Sequence, residues 1–268
     1  MKLTVLTDNN TFIDQYYLGE PALSIYIEDG EERILFDTGY SDAFMKNAEA
    51  LGIDLSKLTA IVFSHGHNDH TRGLSFLMDK TDLKGVKVIA HPSMFLCRRC
   101  DGLEVGAPYA LPAITAKGMR FLAAAKPYRI SSHLTFLGEI PRVTSFEGAP
   151  VGEYEEDGIC QPDYVLDDSA LLYEGSEGAF IITGCSHSGI CNIVRYAKEV
   201  SGQKITGILG GFHLLKDNEQ LQETIRFLKE NMNGTLYPCH CVSLSAKCRM
   251  MNVLDVQEVG VGLALELK

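Results

Sequence analysis

The sequence predicts an α/β protein, a sandwich of two mixed β-sheets with helices on the outside. Three observations carry that prediction. In each half of the 268 residues strands come first and helices follow, an order that suits packed sheets under helical layers. The strands are short apolar runs bounded by turn residues. Histidines stand just past the ends of five such runs: His65 with His67, His91, His187, His213 and His240. Open α/β sheets gather ligands beyond the carboxyl ends of their strands, so these histidines are expected to converge.

Met1–Thr7, Ala22–Ile27 and Glu32–Phe36 read as strands, the last two joined by an Asp29-Gly30 turn that marks a hairpin. Ser41 is placed to cap a helix through Leu51. The strand Ala60–Phe63 is followed by a helix that Asp69 can cap, running to about Met78. Val86–Ala90 is a strand, and Pro92 suits the first position of a helix after it. From Asp101 to about Arg129 the pattern weakens, and Glu147–Tyr164 is irregular again, with an acidic patch at Glu153–Asp157 read as a solvated loop. The stretch from about 101 to 164 is therefore expected to form a lid or pocket insert. The second half is more regular. Ala170–Tyr173 and Ala179–Thr183 form a hairpin, and a helix spans about Gly189 to Val200. Ile205–Leu209 is a strand, Glu219–Asn231 a helix and Thr235–Tyr237 a strand. A helix near Ser243–Met251 and a strand around Val259–Leu265 close the chain, which reads as one domain, 1–268.

Hydrophobic residues make up 46% and charged residues 22%, the balance of an ordinary globular protein. A formal charge of -11 speaks against nucleic acid or an anionic membrane as partner, because both demand clustered Lys and Arg. The N-terminus lacks an apolar stretch long enough for a signal peptide, so a cytoplasmic location is expected. The eight cysteines are then expected as thiols or ligands rather than disulfides. Oligomeric state is not legible, and a homo-oligomer is compatible with the sequence.

The densest chemistry lies at His65-Gly66-His67-Asn68-Asp69-His70, with three imidazoles and a carboxylate within six residues. Alternate residues of an extended loop aim the same way, so His65 and His67 can share one metal. Asp69 and His70 lie at the following turn, which suits a second metal close by. This segment, with Thr71 and Gly73 after it and Ile34–Gly39 before it, resembles the signature of the metallo-β-lactamase fold hydrolases. Gly184-Cys185-Ser186-His187, Gly210–His213, Pro238–Cys241 and Gly138-Glu139-Ile140-Pro141-Arg142 are similar to one branch of them, the dihydropterin-methyl ribofuranosyl-aminobenzene phosphate synthases.

That resemblance implies a four-layer αββα sandwich. It implies that His65 and His67 hold a first metal, that Asp69 and His70 hold a second, and that Asp37 fixes a ligand imidazole. It also implies a late histidine, for which His240 is the natural choice. Where the family has a bridging Asp, this chain has Cys185-Ser186-His187. His187 is expected to replace the bridge or to serve one metal, with Cys185 the lesser alternative. His213 is either a ligand or a proton-handling residue. His91 either substitutes for a missing early ligand or closes its strand with a local hydrogen bond, and His133 reads as structural or exposed. Arg142 could bind a substrate phosphate, with Glu139 orienting it or a metal ligand. Arg72, Arg98, Arg99 and Lys247 are further anion candidates. Cys97-x-x-Cys100 has no second pair at zinc-site spacing, and idle thiols are the favoured reading.

Two divalent ions are expected, zinc first among them, with manganese or iron also suited to nitrogen and oxygen donors. Such a pair lowers the pKa of a shared water and clamps attacking and leaving oxygens. The expected activity is hydrolysis or group transfer on a small phosphorylated molecule, pterin-related if the branch is followed, with Asp69 or His213 moving the proton. The competing class is a redox or electron-transfer protein holding iron or an iron–sulfur cluster.

Overall fold

The computed structural model describes residues 1–268. Its first sheet has seven strands, in the spatial order Ala264–Glu266, Lys2–Thr7, Ser24–Asp29, Glu32–Phe36, Ala60–Val62, Lys87–Ala90 and Arg120–Ala123. Its second has six, in the order Thr235–Pro238, Ile205–Gly210, Ala179–Thr183, Ala170–Glu174, Leu134–Phe136 and Tyr128–Arg129. Both are mixed: the Glu32, Ala60, Lys87 and Arg120 strands run parallel, as do those from Ala179, Ile205 and Thr235, and the other pairings are antiparallel.

Strand side chains alternate between faces, and this alternation sorts the core into layers. Leu3, Val5, Ile25, Ile27, Ile34 and Phe36 meet Leu171, Phe180, Ile182 and Leu209 between the sheets. The alternate residues point outward. Leu35, Ile61, Phe63 and Val88 pack under the helices Ala43–Ala50 and Gly73–Lys80. Leu172, Ile181 and Ile208 pack under Ile190–Ser201, Glu219–Asn231 and Leu244–Met251. Three buried layers between two sheets and two helical faces make the four-layer αββα sandwich.

Several expectations change. Asp69 does not cap a helix: the segment divides into Asn68–Thr71 and Gly73–Lys80, and the Asp69 carboxylate turns to the histidines instead. Ser41 accepts the Ala43 N–H, but helix Ala43–Ala50 begins after Asp42. After His91 there is only a 3-10 turn, Pro92–Phe95. The closing strand is limited to Ala264–Glu266 because Val261 bonds to Asn10 in a loop. The acidic patch is not a loop. Glu153–Glu156 forms a hairpin with Ile159–Pro162 and pairs with Cys97–Cys100, giving a third, four-stranded sheet completed by Leu103–Glu104. Arg99 stands opposite Glu153 on one side and Glu104 on the other, where it forms an ion pair at 4.0 Å, a cross-strand charge pairing that apolar periodicity does not reveal.

No helix is long and apolar enough to cross a membrane.

Candidate metal centre

Strands Lys2–Thr7, Glu32–Phe36 and Ala60–Val62 end at the same edge of the first sheet, as Ala179–Thr183, Ile205–Gly210 and Thr235–Pro238 do in the second. Asp8, Asp37, His65, Cys185, His213 and His240 follow these ends. They line or underlie a cleft of about 530 Å3 whose walls include His67, Asp69, Cys185, His187, His213 and His240.

Asp37 organises the first-sheet side. Its Oδ2 accepts 2.7 Å hydrogen bonds from Nδ1 of His70 and from Oγ of Ser64. Ser64 Oγ, having given its proton to Asp37, accepts from Nδ1 of His65 at 2.9 Å. Both imidazoles are thereby oriented through Nδ1, with Nε2 turned to the cleft side. Asp37 holds this place with φ at 56°. A Cβ on Gly184 would collide with Ser64, so glycine lets the second sheet approach this network.

His65, His67 and His187 form a triad of rings, their centroids 4.6 to 4.8 Å apart. Nε2 of His65 and Nδ1 of His67 are 3.1 Å apart, close to the edge of a tetrahedron with metal–nitrogen arms of about 2.0–2.1 Å. Both ring nitrogens of His187 are buried without a partner. Unpaired buried imidazole nitrogens are costly unless something binds them, and this donor set fits a divalent ion. Burial pushes the His65, His67 and His187 pKa values down, that of His67 to about 3, so all three are neutral at neutral pH, the form in which an imidazole can bind a metal.

Asp69, His70, Cys185 and His240 make a second donor group, its ligand atoms within 4.8 Å of one another. Asp69 Oδ2 is 3.2 Å from Nε2 of His240 and 3.7 Å from Nε2 of His70, and Cys185 Sγ lies 3.1 Å from the latter nitrogen. Although burial works against its charge, the imidazoles of His70 and His240 hold Asp69 well below the usual carboxylate range. His240, at φ 53°, is fixed by its N–H to Asp8 and its Nδ1 against Asn9 Oδ1.

Cys185, not His187, occupies the place between the two groups. Its sulfur belongs to both the His65–His187 and the Asp69–His70–His240 sets. Ser186, at φ 58° with its hydroxyl on the Gly211 carbonyl, reverses the chain so that His187 reaches the far histidine side.

Other candidates fall elsewhere. His91 is outside the cluster: its Nδ1 accepts from the Ser93 N–H and its Nε2 is 3.7 Å from Glu139, which is half exposed. Arg142 donates to the carbonyls of Val165, His187 and Gly148, so it braces the loop carrying His187 rather than facing the cleft. Arg98, expected as an anion site, is a buried ion-pair partner of Asp163 at 2.8 Å and Asp167 at 2.5 Å. Asp167 in turn accepts the Gly66 N–H at 2.8 Å, which fixes the loop between His65 and His67. A Cβ on Gly66 would strike the Met94 carbonyl and the Arg98 guanidinium. Arg72 stacks 4.3 Å over Tyr40 at the cleft rim. His133 is exposed.

Asp8, Ser64 and Asp167 escaped the sequence reading, and Cys241 entered it only beside His240, with the idle-thiol reading favoured. Asp8 follows its strand as the histidines follow theirs and could have been found by that rule; the others gave no periodic signal. No donor group gathers the four thiolates of an iron–sulfur cluster, and none holds more than two cysteines.

The third sheet walls the cleft through Cys100 and Val105, with Val151 just before its hairpin, and Asn68 bonds to it through the Val105 carbonyl. A neighbouring pocket of about 460 Å3, sharing Tyr40 and Asn68, is lined by Arg72, Arg99, Tyr154 and Glu155 among others.

The family model for the metallo-beta-lactamase superfamily matches residues 18–96. The chain is 31% identical to an uncharacterized protein of Methanocaldococcus jannaschii, over 92% of this chain and 93% of that one. It is also 31% identical to the 7,8-dihydropterin-6-methyl-4-(beta-D-ribofuranosyl)-aminobenzene-5'-phosphate synthase of the same organism, over 94% and 90%. Among solved structures it is similar to Tm1679, a metal-dependent hydrolase of the beta-lactamase superfamily. There the TM-score is 0.85 at 28% identity, covering 99% of this chain and 98% of that one.

Proposed function

The chain belongs to the metallo-beta-lactamase superfamily, and on that premise we propose that it is a dinuclear metal enzyme acting on a small phosphorylated molecule. The observation that carries the reading is the pair of donor groups facing one cleft, with unpaired imidazole nitrogens in the first and Cys185 between them. In this reading His65, His67 and His187 hold one ion, and Asp69, His70, His240 and Cys185 hold the other. Zinc suits this mixed nitrogen, oxygen and sulfur set best.

When bound, two such ions activate a nucleophile and neutralise charge on a phosphate or diphosphate leaving group. The chain's own residues do the rest. Asp37 holds His70 directly, and His65 through Ser64, in the required tautomer. Asp69 stays ionised and, with its side chain 30% exposed, is the group placed to take a proton from the attacking nucleophile. The third sheet walls the cleft and shields the reacting centre.

Hydrolysis and transfer share this machinery. Transfer of a pterinylmethyl group to an arylamine nitrogen, its methyl carbon breaking its bond to a diphosphate oxygen as the C–N bond forms, is supported by the 31% identical synthase and by the second pocket beside Tyr40 and Asn68, which offers room for a second substrate portion. The test is a panel of phosphomonoesters, phosphodiesters and alkyl diphosphates, each with and without an arylamine. Arylamine-dependent release of diphosphate identifies transfer, and release without it identifies hydrolysis. No turnover of any phosphorylated compound contradicts the substrate class.

A further inference from the structure

A third donor group, Cys185, His213 and Cys241, has only Cys185 in common with the two ion positions assigned above, and its ligand atoms also lie within 4.8 Å of one another. All three residues line the same cleft. Nδ1 of His213 is buried and has no partner. The residue is held at φ 48°, an uncommon left-handed backbone that histidine tolerates better than most side chains. Its N–H points at Cys241 Sγ at 3.3 Å, and its ring lies 4.5 Å from that of His187. The Cys241 thiol points to the carbonyl of Cys185 at 3.6 Å. Cys239, two residues away, is packed in the core between the sheets instead.

We propose that Cys185, His213 and Cys241 form a separate, sulfur-rich position for a thiophilic divalent ion of the zinc class, joined to the Asp69–His70–His240 position through the shared Cys185 sulfur. Two thiolates and an imidazole favour zinc or cobalt over manganese or magnesium, which prefer oxygen. On binding, both thiols lose their protons to solvent, and the Cys241 sulfur exchanges its bond to the Cys185 carbonyl for one to the ion. The N–H of His213 remains on that sulfur and orients it. Three protein donors leave a coordination place open toward the cleft.

The inference rests on the metal-dependent reading, and its test separates the two. The metal-depleted full-length chain is titrated with cobalt(II), following thiolate-to-cobalt charge-transfer absorption and the number of ions bound, with far-ultraviolet circular dichroism as a check on folding. Wild type, Cys241→Ser and His213→Asn are compared. Asn is chosen because it tolerates positive φ. The wild type is expected to show thiolate absorption and to bind about one cobalt more than manganese. Cys241→Ser is expected to lose more than half of that absorption, because the bonds of the lost ion to both Cys241 and Cys185 go with it, and about one bound cobalt, and His213→Asn to weaken the same cobalt by about tenfold or more. If either variant loses its fold, the other carries the comparison, and the cobalt–manganese difference in wild type needs no variant. Folded variants with unchanged absorption and ion count, or equal cobalt and manganese counts in wild type, overturn the sulfur-rich position and leave the dinuclear reading intact. A wild-type chain that binds no cobalt overturns the metal-dependent reading itself.

Discussion

The Asp37 carboxylate accepts a 2.7 Å hydrogen bond from Nδ1 of His70, and both side chains are fully buried. Through Ser64 the same carboxylate also governs His65. Asp37→Asn keeps the shape and, because Asn tolerates positive φ, the backbone, but it weakens the acceptor. Metal affinity is expected to fall by about 10–100-fold, measured by competition with a chelator. Unchanged affinity would show that the imidazoles are oriented without Asp37.

Metal binding should release a proton from His70. Burial pushes its pKa down, but the Asp69 and Asp37 carboxylates outweigh burial and raise it to about 9. In the metal-free chain at about pH 7 this ring is charged, and an ion at its Nε2 displaces the proton. Calorimetric titration in buffers of different ionisation enthalpy is expected to report about one proton from this group, added to any released by thiols. Binding heats independent of buffer would contradict this.

The metal-free fold should be sensitive to acid through the other histidines. The pKa of His67 falls from 6.5 unfolded to about 3 folded, and His65 and His187 move the same way. Between those limits the unfolded chain binds more protons than the folded one, so stability falls as pH falls from about 6.5 toward 3, by up to about 1.4 kcal/mol per pH unit for each group. His70 has the opposite sign: its contribution is complete below 6.5 and is lost as pH rises through about 9. Denaturant midpoints across this range are expected to peak near pH 6.5. A flat profile on the acid side would mean that these rings are not buried in the metal-free state.

Arg98 supports the His65–His67 loop from below through Asp167 and Gly66. Arg98→Met leaves Asp163 and Asp167 buried without their partner, a loss of about 3–5 kcal/mol, readable in urea unfolding. Gly66→Ala should lose metal as well, because the loop cannot accept a Cβ without moving His65 and His67. A Gly66→Ala chain with native metal content would show that the loop has slack.

Much of the fold was legible because its strands alternate: Ile34, Leu35 and Phe36, or Ile181 and Ile182, divide cleanly between inner and outer faces. The third sheet was not legible, since Glu153–Glu156 and Ile159–Pro162 expose their side chains and are paired chiefly through the backbone. Strand ends located His65, His67, His187, His213 and His240, but not which sulfur or ring faces which. That depends on single backbone reversals, at Ser186 and His213, whose positive φ no spacing announces. The role of Arg98 was misread for a related reason: a buried ion pair and a surface anion site look alike in a sequence.

The central claim, that the cluster around His65, His67, Asp69, His70, Cys185, His187 and His240 is a metal centre that does the chemistry, is tested most directly by turnover before and after metal removal. Once the panel has identified a phosphorylated substrate, the chain is stripped with chelator, assayed, and assayed again after zinc or manganese is returned. The expected result is loss of activity on stripping and its return with about two ions per chain, with neither metal nor activity retained in His67→Ala. A stripped, metal-free chain that turns over at the original rate would contradict the account.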